Sequence, residues 1–283
     1  MNVNRRQRGN EKLREVADRD RLRPFSSSWM AWLFMLSIIH PAIAAETAYQ
    51  GFQSPTGIVE VADVGIYVTD WSANTVTRID TQGRRSVIVK DLPAAAGLAI
   101  DDMGSLFITS YSADYILRID PDGATRRISG NLSTPTGIAF AHDGRLLVAN
   151  RGSGEVISLD VSSGQVKKVA DSLSLPVGVV EMADGSIVVS QYGGRVTRIM
   201  RNGSQQEIGR DFTRPGVGIL ADGPDAVLIV DNGAGVLRRV SFDGTSSVVA
   251  DNLSGNAVAL GRGVNGDVLI GCWGSGIIYR IQP

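Results

Sequence analysis

A glycine recurs every forty residues along most of this chain. It stands in Pro55-Thr56-Gly57-Ile58, Ala95-Ala96-Gly97-Leu98, Pro135-Thr136-Gly137-Ile138, Pro176-Val177-Gly178-Val179 and Gly216-Val217-Gly218-Ile219, with steps of 40, 40, 41 and 40. A weaker sixth copy begins at Asn256-Ala257-Val258, and a second ladder runs through Gly83, Gly123, Gly164, Gly203 and Gly244. Two ladders in step mean that a whole structural unit repeats. Such units bury their apolar faces only by stacking on one another, so the chain must form a repeat architecture.

The third copy shows what one unit contains. Gly137 to Ala141 is apolar, His142-Asp143-Gly144 is a turn, Arg145 to Asn150 is rich in β-formers, and Arg151 to Gly154 turns again. Val156 to Asp160 alternates, Ser162-Ser163-Gly164 turns, and Gln165 to Ala170 is a more polar fourth run. Short runs of period two joined by Asp-Gly and Ser-Gly turns, with no 3.6-residue period, describe a four-stranded antiparallel meander. Six meanders arranged radially make an all-β, six-bladed β-propeller over residues 46–283, with repeats starting near 55, 95, 135, 176, 216 and 255. The sixth copy stops after its third strand, Ile277 to Ile281, while Thr47 to Ser54 has no repeat to belong to. Pairing the two closes the ring and removes an open blade edge.

Residues 1–45 read as a separate leader. Eight basic and four acidic residues in 1–28 precede the apolar run Trp29 to Ile39 and the small residues Ala42-Ile43-Ala44-Ala45. That is the layout of a secretory signal cleaved near Ala44/Ala45, and its apolar run is too short to span a bilayer as a helix. The expectation is a monomeric periplasmic or secreted protein with no membrane insertion after cleavage. Of the 28 basic and 29 acidic residues, the leader takes eight and four, so the remainder carries a net charge of −5 and no attraction for nucleic acid. A single cysteine excludes a disulfide scaffold.

Tyr67-Val68-Thr69-Asp70, followed by Asn74-Thr75-Val76 and Ile79-Asp80, resembles the repeat of YVTN propellers. The Pro-Thr-Gly-Ile opening with a later Asp-Gly turn resembles NHL and streptogramin-lyase repeats, and the texture of residues 47–283 is similar to the senescence marker protein/gluconolactonase group. This resemblance implies architecture more than activity, because propellers host binding and catalysis alike.

Aligning the copies yields three rings of side chains at one channel mouth. Thr56, Ala96, Thr136, Val177, Val217 and Asn256 precede the innermost strands, and Asp70, Ser110, Asn150, Gln191, Asp231 and Cys272 end the second strands. One position on stand Trp71, Tyr111, Arg151, Tyr192, Asn232 and Trp273. Gluconolactonase resemblance implies a divalent cation at the first ring, held by a glutamate, asparagines and an aspartate. Only Asn256 is of that kind here, and the family's Glu-Gly-Pro-x-Trp opening is replaced by Pro55 to Val59. Streptogramin-lyase chemistry, which relies on histidine and glutamate near the metal, has only His142 after the leader, in a turn on the opposite face.

The second ring admits two readings. Asp70, Asn150, Gln191 and Asp231 can bind Ca²⁺ or a polar ligand, or they can cap strand ends and satisfy turn amides. The third ring also admits two: Trp71, Tyr111, Tyr192 and Trp273 can stack on a ligand while Arg151 clamps an anion, or the rings can wedge between blades. Cys272 has no base within reach and reads as a small buried residue. No cofactor is firmly implied beyond that optional cation. Two functions follow: a non-catalytic propeller binding a small molecule or partner protein through Asp70, Trp71, Asn150, Arg151, Gln191, Asp231 and Trp273, or a metal-dependent hydrolase, lactonase or lyase.

Overall fold

The computed structural model describes residues 44–128, 130 and 132–282. The leader lies outside the described residues apart from Ala44 and Ala45. Blade 6 includes the first strand, β1 (Glu46–Tyr49). Blade 1 is β2 (Pro55–Val61), β3 (Gly65–Asp70), β4 (Thr75–Ile79) and β5 (Arg85–Val89). Blade 2 is β6 (Ala95–Ile100), β7 (Leu106–Ser110), β8 (Tyr115–Ile119) and β9 (Thr125–Ile128). Blade 3 is β10 (Pro135–Phe140), β11 (Leu146–Asn150), β12 (Glu155–Leu159) and β13 (Val166–Ala170), with a 3-10 turn at Arg151–Ser153 between β11 and β12. Blade 4 is β14 (Pro176–Glu181), β15 (Ile187–Gln191), β16 (Arg195–Ile199) and β17 (Gln205–Gly209). Blade 5 is β18 (Pro215–Ala221), β19 (Ala226–Asp231), β20 (Val236–Ser241) and β21 (Ser246–Ala250), and blade 6 adds β22 (Asn256–Arg262), β23 (Val268–Trp273) and β24 (Ile277–Ile281).

All six sheets are four-stranded and antiparallel, and the last has the order β1-β24-β23-β22. The six-bladed propeller expected from the repeat is therefore the fold, and the N-terminal strand closes it. Glu46 opposes Arg280, Thr47 opposes Tyr279, and Tyr49 opposes Ile278. Closure uses Thr47 to Tyr49 of the orphan stretch together with Glu46; Gln50 to Ser54 forms the loop into blade 1. A second tie joins the ends of the ring, where Arg280 of blade 6 meets Glu60 of blade 1 at 2.8 Å and also pairs with Asp267.

The core is distributed, not central. One apolar cluster fills each of the six blade interfaces. Leu146 and Val148 pack with Phe107 of blade 2, while the alternate residues Leu147 and Ala149 pack with Val179 and Val189 of blade 4. Both faces of the second strands are thus buried, so β11 is apolar at four successive positions. The repeating glycine has a different task. A Cβ on Gly97 would lie 2.3 Å from the Thr136 carbonyl oxygen, and one on Gly137 would lie 2.5 Å from that of Val177. Innermost strands of adjacent blades approach so closely that only glycine fits. Hydroxyls bridge the same seam: Thr109 Oγ1 accepts from the Gly97 amide at 2.7 Å and donates to the Thr136 carbonyl at 2.7 Å, and Thr69 repeats the pattern between Gly57 and Ala96.

Candidate functional site

The side chains that end the second strands are consumed by the scaffold. Asp70 is 3% exposed, and its carboxylate accepts backbone amides from Gln53 at 2.7 Å, Ser54 at 2.9 Å and Ala73 at 3.2 Å. Asn150 accepts the Ser133 amide at 2.7 Å and donates to Ser153 Oγ at 2.8 Å. Gln191 accepts the Ser174 amide at 2.6 Å and donates to Thr197 Oγ1 at 2.7 Å. Asp231 accepts the amides of Thr213 and Arg214 at 3.1 and 3.0 Å, and its buried charge meets Arg238 Nε at 3.3 Å. Each of these four clamps the loop that enters its own blade. An acceptor already shared among amides fulfils the capping role, and none of the four lines the cavity at this mouth.

One residue further along the chain the environment changes. Trp71, Tyr111, Arg151, Tyr192, Asn232 and Trp273 all line a cavity of about 370 Å³, together with Thr56, Thr136, Arg214 and Asn256. The Trp71 ring lies 4.5 Å from Tyr111 and 5.6 Å from Trp273, centroid to centroid, and both pairs are tilted. Trp273 Nε1 donates to Thr56 Oγ1 at 3.2 Å. On the other wall, Arg151 donates to the Tyr111 hydroxyl at 2.6 Å, and its guanidinium carbon is 5.1 Å from the Tyr192 ring centre. Three of the rings touch around a concave rim, while Tyr192 is flanked by the two arginines and is 38% exposed. Of the seven candidates read from the sequence, the cavity gathers Trp71, Arg151 and Trp273, and leaves Asp70, Asn150, Gln191 and Asp231 beneath.

Arg214 belongs to this site but is not among those candidates. It donates to Asn232 Oδ1 at 3.0 Å and to the Tyr192 hydroxyl at 3.3 Å. In blade 1, Pro55 pairs with Asp70 and Ile58 with Val68; in blade 5, Pro215 pairs with Asp231 and Ile219 with Ile229. Blade 5 therefore carries one extra residue in this stretch, and a register hung on the glycine misplaces what precedes Pro215. The equivalence of Arg214 with Ser54, whose amide caps Asp70 in the same way, is the signal that would have found it.

The sixth copy also needs a new register. Ala257 pairs with Cys272 and Ala259 with Gly271, so Val258, not Asn256, occupies the position of Thr56. The sixth copy lacks the glycine that anchors the others and has Ala259 in its place. With Val258 in place, the level that resemblance to gluconolactonase assigns to a cation consists of two threonines, one alanine and three valines. Both threonine hydroxyls are engaged, Thr56 with the Ser54 carbonyl at 2.9 Å and Thr136 with that of Ala149 at 3.0 Å. These residues do not fit a hard divalent cation, which requires several oxygens including carboxylates. Among the described residues, no cluster of three or more His, Cys, Asp or Glu side chains is placed to hold one.

His142 lies in the β10–β11 turn, at the far end of the blade from this mouth, and its ring meets Glu181 at 2.6 Å. Cys272 is fully buried, and burial pushes its thiol up to about 12, so it is not a nucleophile near neutral pH.

No protein-family model matches the chain, and no curated protein matches it. Solved structures do. The gluconolactonase XC5397 from Xanthomonas campestris is 18% identical with a TM-score of 0.72, covering 84% of this chain and 89% of its own. Virginiamycin B lyase from Staphylococcus aureus is 19% identical with a TM-score of 0.65, covering 85% of each. A chain of the nidogen/laminin complex is 16% identical with a TM-score of 0.62, covering 71% of this chain and 83% of its own. The fold is the six-bladed propeller of gluconolactonase and streptogramin B lyase. At such identities the likeness describes the fold alone, and two enzymes and one member of a protein complex share it.

Proposed function

We propose that this chain is an exported binding protein whose working face is the mouth lined by Trp71, Arg151 and Trp273, and that it takes a small organic ligand there without metal-dependent chemistry. The observation that carries the reading is convergence: four aromatic rings and two guanidinium groups from successive blades meet at one concave rim of about 370 Å³, within the size range of small-molecule sites. The leader supports export, since a basic stretch precedes a short apolar run and small residues. The shared fold supports the rival reading of a hydrolase or lyase, but the donor set argues against the metal that such chemistry resembles.

The chain has four tryptophans, and Trp29 and Trp32 lie in the leader, so the cleaved protein reports through Trp71 and Trp273 alone. N-terminal sequencing of exported material is expected to begin near Ala45 or Glu46. Titrating that material with a broad panel of neutral and charged ring compounds is expected to change its tryptophan emission saturably. A panel that leaves the emission unmoved, alongside lactone hydrolysis abolished by a chelator, would replace binding with the enzyme reading.

A further inference from the structure

We propose that the ligand of this mouth is an aromatic carboxylate, its carboxylate held between Arg151 and Arg214 and its ring lying against Trp71. This deepens the binding reading and rests on it. The guanidinium carbons of Arg151 and Arg214 lie 5.1 and 5.5 Å from the centre of the same Tyr192 ring. Their hydrogen-bond partners at the rim are neutral oxygens: the Tyr111 hydroxyl for Arg151, and the Tyr192 hydroxyl and Asn232 Oδ1 for Arg214. Those oxygens fix direction without cancelling charge. Among the described residues neither arginine has a carboxylate within ion-pair distance, and the cavity lining contains no acidic side chain.

Some arginines elsewhere are neutralised, Arg238 by Asp231 and Arg280 by Glu60 and Asp267, while others such as Arg78 and Arg145 meet carbonyl or hydroxyl oxygens. What sets Arg151 and Arg214 apart is that both line one cavity and lean on one ring. Two unneutralised guanidiniums facing one cavity create a positive field that an anion relieves. The planar guanidinium fork matches a carboxylate through two parallel N–H···O bonds, and the absence of lysine from the lining favours planar, directional recognition over a point charge.

The opposite wall specifies the rest of the molecule. Trp71 stands between Tyr111 and Trp273, so a wall of tilted aromatic rings continues across three blades. An aliphatic acid would satisfy the arginines and leave that wall wet. A ring carrying a carboxylate covers both walls at once, because aromatic groups stack there while the oxygens reach the guanidiniums.

The test is a tryptophan-fluorescence titration of the leader-free protein with 2-naphthoate, its neutral amide 2-naphthamide, and the cationic 2-naphthylmethylammonium. Naphthoate is expected to bind at least about tenfold more tightly than the amide, as loss of a charge-assisted hydrogen bond implies, and the cation not at all. Arg151→Gln and Arg214→Gln should each narrow that preference by weakening naphthoate more than the amide, and Trp71→Ala should weaken naphthoate and amide together. The comparison of naphthoate with naphthamide needs no variant, so a misfolded substitution does not blunt it. Amide or ammonium binding as tightly as naphthoate would overturn the anion while leaving the mouth as a binding site. If none of the three binds, the aromatic carboxylate falls, and the broader panel above decides separately whether the mouth binds anything.

Discussion

At the end of each second strand, two consecutive residues meet different environments. Asp70 is 3% exposed and accepts three backbone amides, whereas Trp71, one peptide further on, stands at the rim of an open cavity. Asn150 and Arg151 repeat the contrast, as do Gln191 and Tyr192. The cause is where the strand ends. The last paired residue points beneath the incoming loop, whose amides lack sheet partners and take whatever acceptor is nearest. The next residue belongs to the turn and faces the channel. Residue types that suggest chemistry in a sequence are here the ones a fold needs most, and the site is built from what remains.

Three measurements bear on this division, beginning with the largest expected effect. Asp231→Ala removes a buried acceptor from two amides and from Arg238, and is expected to cost about 3 kcal/mol of stability, in the range seen when one partner of a buried charged pair is deleted. Denaturant unfolding would show it; a loss no greater than that of Asn232→Ala would mean that the two rings are not mechanically distinct.

Acid is a gentler probe, and it acts through exposed turn aspartates. The Ser162 hydroxyl and the amides of Ser163 and Ser162 hold the Asp160 carboxyl far below the usual 3.8, and the Thr245 amide lowers Asp243. A carboxyl depressed in the folded state stabilises it above the unfolded value, and that contribution is lost as pH falls through the folded value. Melting temperature is therefore expected to be level from neutral pH to about 5 and to drop below the ordinary aspartate range. Asp160→Asn should lower the neutral plateau and flatten the acid limb; an unchanged limb would remove that turn from the account.

The smallest effect is the most discriminating. Among the described residues the Arg151 side chain holds only a tyrosine hydroxyl and two ring faces, so Arg151→Ala is expected to change folding stability by less than about 0.5 kcal/mol. Thermal melting checks this directly. A loss comparable to that of Asp231→Ala would make Arg151 a strut of the scaffold.

The fold was legible because spacing is a strong signal: a forty-residue glycine ladder and an orphan stretch before Gly57 sufficed for six blades and their closure. The second and third rings were legible too, but not their uses, and the first ring was legible except for its sixth member. Period-two alternation says that Asp70 and Trp71 point apart without saying which one the incoming loop covers, since that depends on amides sixteen and seventeen residues away. Arg214 was hidden by the extra residue between Pro215 and Ile219. Val258 was hidden because Ala259 replaces the glycine that marks the other copies, and a one- or two-residue slip in a short strand changes which side chain reaches the channel.

The pairing of Glu46–Tyr49 with Ile277–Ile281 also sets an order in time. The earliest-made strand of the propeller finds its partner among the latest-made residues, across more than two hundred others, and such distant pairing is slow to form. Until β24 exists, the growing chain is an open arc of blades with an exposed seam at each end. An arc yields to a pull on either end by shedding blades one at a time; the ring must first give up the β1–β24 ladder.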